Sequence, residues 1–230
     1  MNKETVKGLF PGIYRIWHYF RLVEIKRKER EKKKSYKLFG YEVLADLFEM
    51  VRIKGYKISC YYGTLLGIVR DNQLIPWDDD LDFIILADNT FSWEDFERDM
   101  SEAGFWKYRV IERENKIVAQ SYKKKGVLCD FGFKNTEHEE EYHLYGCYQI
   151  AGNIYCNGTV GLYKYWKCKV PKTETLINRN LAGISLQIPD NYESVLSAFY
   201  GENWHIPDPN FKQDREEVQI LNKITYYKKR

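Results

Sequence analysis

The stretch from Tyr62 to Leu86, YGTLLGIVRDNQLIPWDDDLDFIIL, decides how the rest of the chain is read. From Asp80 onward it has the composition of a short apolar strand. Side chains alternate along a strand, so Asp80 and Asp82 share one face while Leu81, Phe83 and Ile85 share the other. Two adjacent anions at the head of an apolar strand are costly unless something positive lies between them, and a divalent cation with oxygen ligands meets that need. Asp80 and Asp82 are therefore candidate metal ligands. Asp78 and Asp79 divide between that neighbourhood and a solvated turn, with Asp79 a candidate for substrate binding. A calcium loop fails on spacing: Asp78, Asp80 and Asp82 fit its positions 1, 3 and 5, but Phe83 stands where glycine is needed and Asn89 where the closing glutamate belongs.

Upstream, Gly63 and Thr64 follow a strand and open Leu65-Leu66-Gly67, which reads as a turn where backbone N–H groups and a hydroxyl meet phosphate oxygens. Arg70 lies between this turn and the aspartates. It is expected either to clamp a phosphate bidentately or to pair with Asp71 or Asp78. A third carboxylate is sought on a neighbouring strand, and Asp130 in VLCDFGF is the candidate, because an aspartate inside an apolar strand needs a partner. Lys123 or Lys124 is expected to help Arg70 hold phosphate oxygens. Zinc ligation is excluded: His138 and His143 are five apart rather than four, and His18 and His205 are isolated.

The elements around this cluster follow from periodicity and punctuation. Ile13, Ile16, Trp17, Phe20 and Val23 recur at helical spacing ahead of the charged run Lys26 to Lys34, an amphipathic helix with a basic tail. It is read either as packed on the domain with a solvated end or as touching an anionic membrane surface. A second helix is expected over about Tyr36 to Ile53, with Val43, Leu44, Leu47, Phe48 and Val51 on one face and Gly55 as its stop. A strand over Tyr56 to Tyr62 follows. After the Leu81 to Leu86 strand, Ser92 is an expected N-cap, with Phe91 and Phe96 placed as a staple, for a helix that stops at Gly104. Strands are then expected at Tyr108 to Glu114, Lys116 to Lys123 and Val127 to Lys134. Glu137 to Glu141 reads as an acidic loop, Tyr192 to Tyr200 as a short helix, and Gly201 to Pro209 as irregular chain. The order gives an α/β (α+β) fold with a mixed sheet flanked by helices.

Composition agrees with a folded enzyme-sized body. The chain has 230 residues, of which 44% are hydrophobic and 16% aromatic, too many for a disordered polymer. Its net charge of +3 is uneven: residues 1–34 carry 11 basic and 4 acidic side chains, which leaves the remainder at −4. A mildly acidic body argues against nucleic acid as a partner. The 5 cysteines form no CxxC pair and are expected to be reduced packing residues. No apolar run approaches the roughly 18 residues that span a bilayer, and no signal peptide is recognised, so the expected location is cytoplasmic.

GTLLGIVR followed by IPWDDDLDF resembles the LicD and fukutin-type phosphotransferases of the polymerase-beta-like nucleotidyltransferase superfamily. IPDNYESVLSAFYGENWHIPDP, near the C-terminus, is similar to a later element of the same family. The resemblance runs from about Tyr36 to Pro209. It implies a nucleotidyltransferase-like catalytic domain over 36–210, which leaves 1–35 as the basic amphipathic helix and 211–230 as a polar tail. It also implies a two-metal site in which Asp80 and Asp82 match the paired aspartates and Asp130 the third carboxylate, with Gly63 and Thr64 in the phosphate turn. The implied cofactor is Mg2+, with Mn2+ as the substitute. The implied reaction takes a CDP-activated alcohol such as CDP-choline and moves its phospho-alcohol to a sugar hydroxyl of a surface glycan, releasing CMP. The acceptor is a glycan, lipid-linked in one version, with peripheral membrane contact through residues 12–34. The rivals are nucleotidyl transfer from CTP or another NTP, and a noncatalytic glycan or membrane-surface adaptor. The segment around the third aspartate reads CDFGFK, where family members often carry a DIFP-like run.

Overall fold

Val43, Leu44, Leu47, Phe48 and Val51 form one stripe of a helix and are all buried. In the computed structural model, which describes residues 11–86, 91–113, 116–133, 141–151, 162–211, 216–218 and 222–227, that helix is α1 (Pro11–Lys54). It ends at Gly55, whose φ of +75° suits the left-handed stop after a helix. The sequence suggests two helices here, and the structure joins them. No proline or glycine interrupts the charged run, and Arg27 reaches both Glu24 and Glu31 at 2.8 and 2.7 Å, pairs that support a polar helix.

The main sheet is built from β1 (Ile58–Cys60), β2 (Asp80–Ile85), β3 (Trp106–Arg113), β4 (Lys116–Lys124), β5 (Val127–Phe133) and β11 (Asn222–Tyr226). Their order is β1-β2-β5-β4-β3-β11. Only β2 and β5 run parallel; every other neighbouring pair is antiparallel, so the sheet is mixed as expected. The parallel pair needs a long crossover, which α3 (Trp93–Glu102), β3 and β4 supply. Ser92 caps α3 by accepting from the Asp95 N–H, and Phe91 meets Phe96 with ring centroids 5.8 Å apart, so both the cap and the staple form.

The core lies between the buried stripe of α1, the β2–β5 pair and α3. Phe83 and Phe131 stack across the pair at 5.0 Å, and Leu44, Leu47, Phe96 and Met100 have no exposed surface. Each such side chain stabilises the fold by about 1.5–3 kcal/mol. Cys60 and Cys129 are buried free thiols within this core, as expected of packing cysteines. A second layer follows: β6 (Glu141–Ala151) pairs with β7 (Leu162–Pro171), β8 (Leu176–Leu181) with β9 (Ile184–Pro189), and α4 (Tyr192–Tyr200) buries Val195, Leu196 and Phe199. The residues after 211, expected as a polar tail, contribute β10 (Glu216–Val218) on β7 and β11 on β3. The reason is visible in Ile224-Thr225-Tyr226, β-formers that close the open edge of β3. The acidic stretch 137–140 and the side chains of the aromatics between 142 and 166 lie outside the described residues.

Candidate active site

A single row across the sheet assembles the polar centre. Asp82 pairs with Asp130, Asp130 with Ser121, and Ser121 with Arg109, on β2, β5, β4 and β3 in turn. Side chains in one such row share a face. Asp80 stands two residues before Asp82 on that face, and one oxygen each from Asp80, Asp82 and Asp130 lies within 4.8 Å of the others. The three carboxylates proposed from alternation alone are thus brought together. The opposite face of β2, through Leu81, Phe83 and Ile85, is buried in the core, which fixes the register.

The helix α2 (Tyr62–Leu66) and the π-helical turn Gly67–Asp71 replace the open phosphate turn expected from the sequence. Tyr62, at the exit of β1, has φ +47°, a left-handed conformation that costs a non-glycine residue about 1–2 kcal/mol. The bend turns Thr64 under β2, where its buried hydroxyl accepts the Asp82 N–H at 2.9 Å. Thr64 therefore positions Asp82. At Gly63 the Asp78 carboxylate approaches the backbone closely: a Cβ there would stand 2.2 Å from Asp78 Oδ2, which would have to shift. Gly67 has a similar reason, since its Cβ would fall 2.5 Å from the Gln73 carbonyl oxygen. Its missing Cβ lets the chain fold back against Gln73 and Ile75. Arg70 takes the alternative partner named above, donating from Nε and Nη2 to the two Asp71 oxygens at 2.9 and 2.7 Å.

Two cations the sequence did not single out reach the carboxylates. Arg109 donates from Nη2 to both oxygens of Asp130 at 3.0 Å and from Nε to Ser121 Oγ at 3.0 Å. Lys32, read from sequence as part of a solvated charged run, places its ammonium 3.0 Å from Asp80 Oδ2 and 3.1 Å from Asp79 Oδ1. The reason lies in the stripe of α1: stepping back from Val43 through Gly40 and Tyr36 reaches Lys32 on the side that faces the sheet. Continuing that periodicity past its apolar members is the signal that could have found it. Arg109 carried no such signal.

Burial dominates the electrostatics. It raises Asp80 to about 7, against the opposing pull of Lys32 and with help from Asp130 and Asp79. Asp82 is also pushed well above its ordinary value, first by burial and then by Asp80 and Asp130. Burial also opposes the charge on Lys32, but Asp80 and Asp79 outweigh it and keep the ammonium protonated. One lysine does not balance so many acids, so Asp80 rises even while its partner stays charged. An all-oxygen set of three converging, partly buried carboxylates fits a hard divalent cation. Lys123 extends from β4 on the same side, with its ammonium 3.8 Å from the Tyr108 ring centroid. Burial and then the nearby Lys32 lower its pKa. Lys124 instead pairs with Asp46 at 2.5 Å and donates to the Ala103 carbonyl, which makes it structural.

Beside Gly63 and Asp78 opens a cavity of about 500 Å³, lined also by Arg70, Trp77, Tyr200, Trp204, Asp208 and Phe211. Against this geometry the comparison with known families is decisive. A family model described as LicD/FKTN/FKRP, nucleotidyltransferase domain, matches residues 55–191, more than half of the chain.

The chain belongs to the LicD family.

Membership points to a transferase with a phosphotransferase or glycan-modifying role. An uncharacterised protein of Rickettsia typhi is 32% identical over 103 residues, 44% of this chain and 31% of that protein. The chain thus spans about a third of that relative's length. The LicD match begins after α1, so Lys32 and Tyr36 enter the site from outside the matched residues, whereas Gly63, Asp80, Asp82, Arg109 and Asp130 lie within them.

Proposed function

We propose that this LicD-family protein transfers a phospho-alcohol from a CDP-activated alcohol, phosphocholine-like in character, to a sugar hydroxyl of a surface glycan, releasing CMP. The observation that carries the reading is the convergence of Asp80, Asp82 and Asp130 within 4.8 Å from adjacent parallel strands. Asp80 and Asp82, completed by Asp130, would hold Mg2+, or Mn2+ in its place. The bound cation would supply Lewis-acid neutralisation of charge on the diphosphate and on departing CMP.

The chain's own residues do the rest. Thr64 holds the Asp82 backbone and Gly63 leaves room for the Asp78 carboxylate before substrate arrives, a preorganised arrangement of the kind that electrostatic catalysis uses. Lys123, partly desolvated, is aimed along the same face and contributes positive charge for phosphate oxygens. Arg109 orients Asp130, which takes the proton of the attacking sugar hydroxyl. Asp79, paired with Lys32, borders the substrate. The cavity lined by Trp77, Tyr200 and Trp204 offers flat aromatic surface on which a sugar ring stacks. This reading puts the protein where CDP-activated donors are made, in the cytoplasm, with a lipid-linked acceptor reached at the inner face of the membrane.

The test is turnover. Purified protein with CDP-choline, CDP-ethanolamine, CDP-glycerol or CDP-ribitol and a glycan acceptor should release CMP only when Mg2+ or Mn2+ is present, and Asp80→Ala and Asp82→Ala should release none. Stabilisation by CTP alone, with no CDP-alcohol effective, would sink the phospho-alcohol reading in favour of nucleotidyl transfer.

A further inference from the structure

The face of α1 that leads into the site carries two groups, Lys32 and Tyr36, that the transfer described above leaves without a role. They are four residues apart, so their side chains leave the helix one turn apart on the same side. Lys32 is the only one with partners: its ammonium sits 3.0 Å from Asp80 and 3.1 Å from Asp79. Tyr36 is 3% exposed, and among the described residues its hydroxyl has no hydrogen-bond partner. A buried hydroxyl in that state has given up water and gained nothing, which points to a ligand that completes it.

The character of that ligand follows from the surroundings. Burial, and then Asp78, Asp80 and Asp82, keep the Tyr36 phenol protonated, so it donates and its missing partner is an acceptor. Lys32 offers further N–H donors beside it, and Lys123 stands close enough that burial and then the Lys32 charge lower its pKa. Donors and cations gathered over a cation-binding set of carboxylates match an oxyanion that bridges both, and phosphate oxygens have that chemistry. The wall is held in place. Lys125 pairs with Glu42, Lys124 with Asp46 at 2.5 Å, Lys54 with Asp99 at 2.9 Å, and Ser35 packs tightly over Gly126.

We propose that Lys32 and Tyr36 form a phosphate-binding wall: with a nucleoside diphosphate in the site, the Lys32 ammonium leaves Asp80 for a diphosphate oxygen and the Tyr36 hydroxyl donates to another. The inference rests on the phospho-transfer reading, and it assigns part of the binding site to a helix outside the family match. Lys32 then has two partners in turn. It screens the carboxylates while the site is empty of anion and grips the anion when it arrives.

Calorimetric titration of the full chain separates the two claims, with Mg2+ alone and with CDP in saturating Mg2+ as probes. Tyr36→Phe removes only the unpartnered hydroxyl, so its melting temperature should hold while CDP affinity drops about tenfold, the value of a hydrogen bond to a charged group. Lys32→Gln should act in opposite directions on the two probes. It should tighten Mg2+ alone, because a competing cation is gone, and weaken CDP at least about tenfold. Lys32→Arg should recover part of the CDP affinity. CDP affinity unchanged in both variants, while Asp82→Asn abolishes CDP binding, would overturn the wall and leave the transfer reading standing. Lys32→Gln weakening both probes alike would also overturn it, since a tether of the fold behaves that way. Wild type failing to bind CDP in Mg2+ would overturn both.

Discussion

On Asp82 burial and then the neighbouring carboxylates outrank the pull of Lys32, whereas Asp80 pairs with Lys32 directly at 3.0 Å. Nothing printed on the sequence distinguishes the two; both are the odd members of an alternating strand. In the fold, the Asp82 backbone N–H is held by Thr64, and its carboxylate lies on the buried face beside Asp80 and Asp130. A neutral isostere there should therefore stabilise the protein alone while removing its function. Asp82→Asn should raise stability without added metal by about 1 kcal/mol, the size of gain seen when functional strain is removed. For a chain of this length that is about 2–4 °C in melting temperature. The same variant should lose the stabilisation that millimolar Mg2+ gives the wild type. Scanning fluorimetry with and without Mg2+ reads both effects, and a lower melting temperature in the variant would contradict the account.

At the scale of elements, α1 is tied to α3 through one buried acid. Asp99 accepts from Tyr56 Oη at 2.7 Å and from Lys54 Nζ at 2.9 Å, joining the end of the long helix to the crossover helix. Burial tends to raise its pKa, but the bonds from Tyr56 and Lys54 outweigh that and hold it below the ordinary value. A depressed carboxylate stabilises the fold above its unfolded pKa of about 4 and loses that contribution as pH falls through the lower folded value. The wild type should therefore lose stability steeply on acidification below about pH 4. Asp99→Asn should start less stable at pH 7 and show a shallower acid limb, measured by urea unfolding at stepped pH. An unchanged limb would show that other carboxylates carry the acid sensitivity. The elements themselves were legible where local chemistry specifies them: the Ser92 cap, the Phe91–Phe96 staple, the three strands from β3 to β5 and the α4 helix. The join of two expected helices into α1 was not, because a charged run without a breaker is compatible with either outcome until its inner face meets a sheet.

At the scale of the whole molecule, the basic N-terminal segment and the LicD-matched body differ in surface character. Ile16, Tyr19 and Phe20 on α1 are 61%, 64% and 65% exposed, beside Arg15, Lys26 and Lys28. Among the described residues no helix is long and apolar enough to cross a membrane. An apolar stripe flanked by cations instead suits the surface of an anionic bilayer, where each basic residue adds about 1 kcal/mol. The protein should sediment with vesicles containing phosphatidylglycerol and not with pure phosphatidylcholine, and salt should weaken the association. Phe20→Asp combined with Val23→Asp should abolish it without changing CDP affinity. Equal binding to neutral vesicles, or none to either, would remove the membrane from the account.

The sequence by itself determined the alternation that gives Asp80 and Asp82 a common face, the odd aspartate of VLCDFGF, the family motif and the mixed α/β order. All of these are written in neighbours a few residues apart, where backbone geometry alone decides direction. It could not determine that Gly67 serves a chain reversal or that Thr64 holds Asp82, because each depends on which backbone passes overhead, and it left Arg70 open between phosphate, Asp71 and Asp78. Nor could it bring Lys32 and Tyr36 to the carboxylates or Arg109 to Asp130. Those meetings span 48 residues for Lys32 and Asp80 and 21 for Arg109 and Asp130, and only the register of the sheet and the docking of α1 make them neighbours.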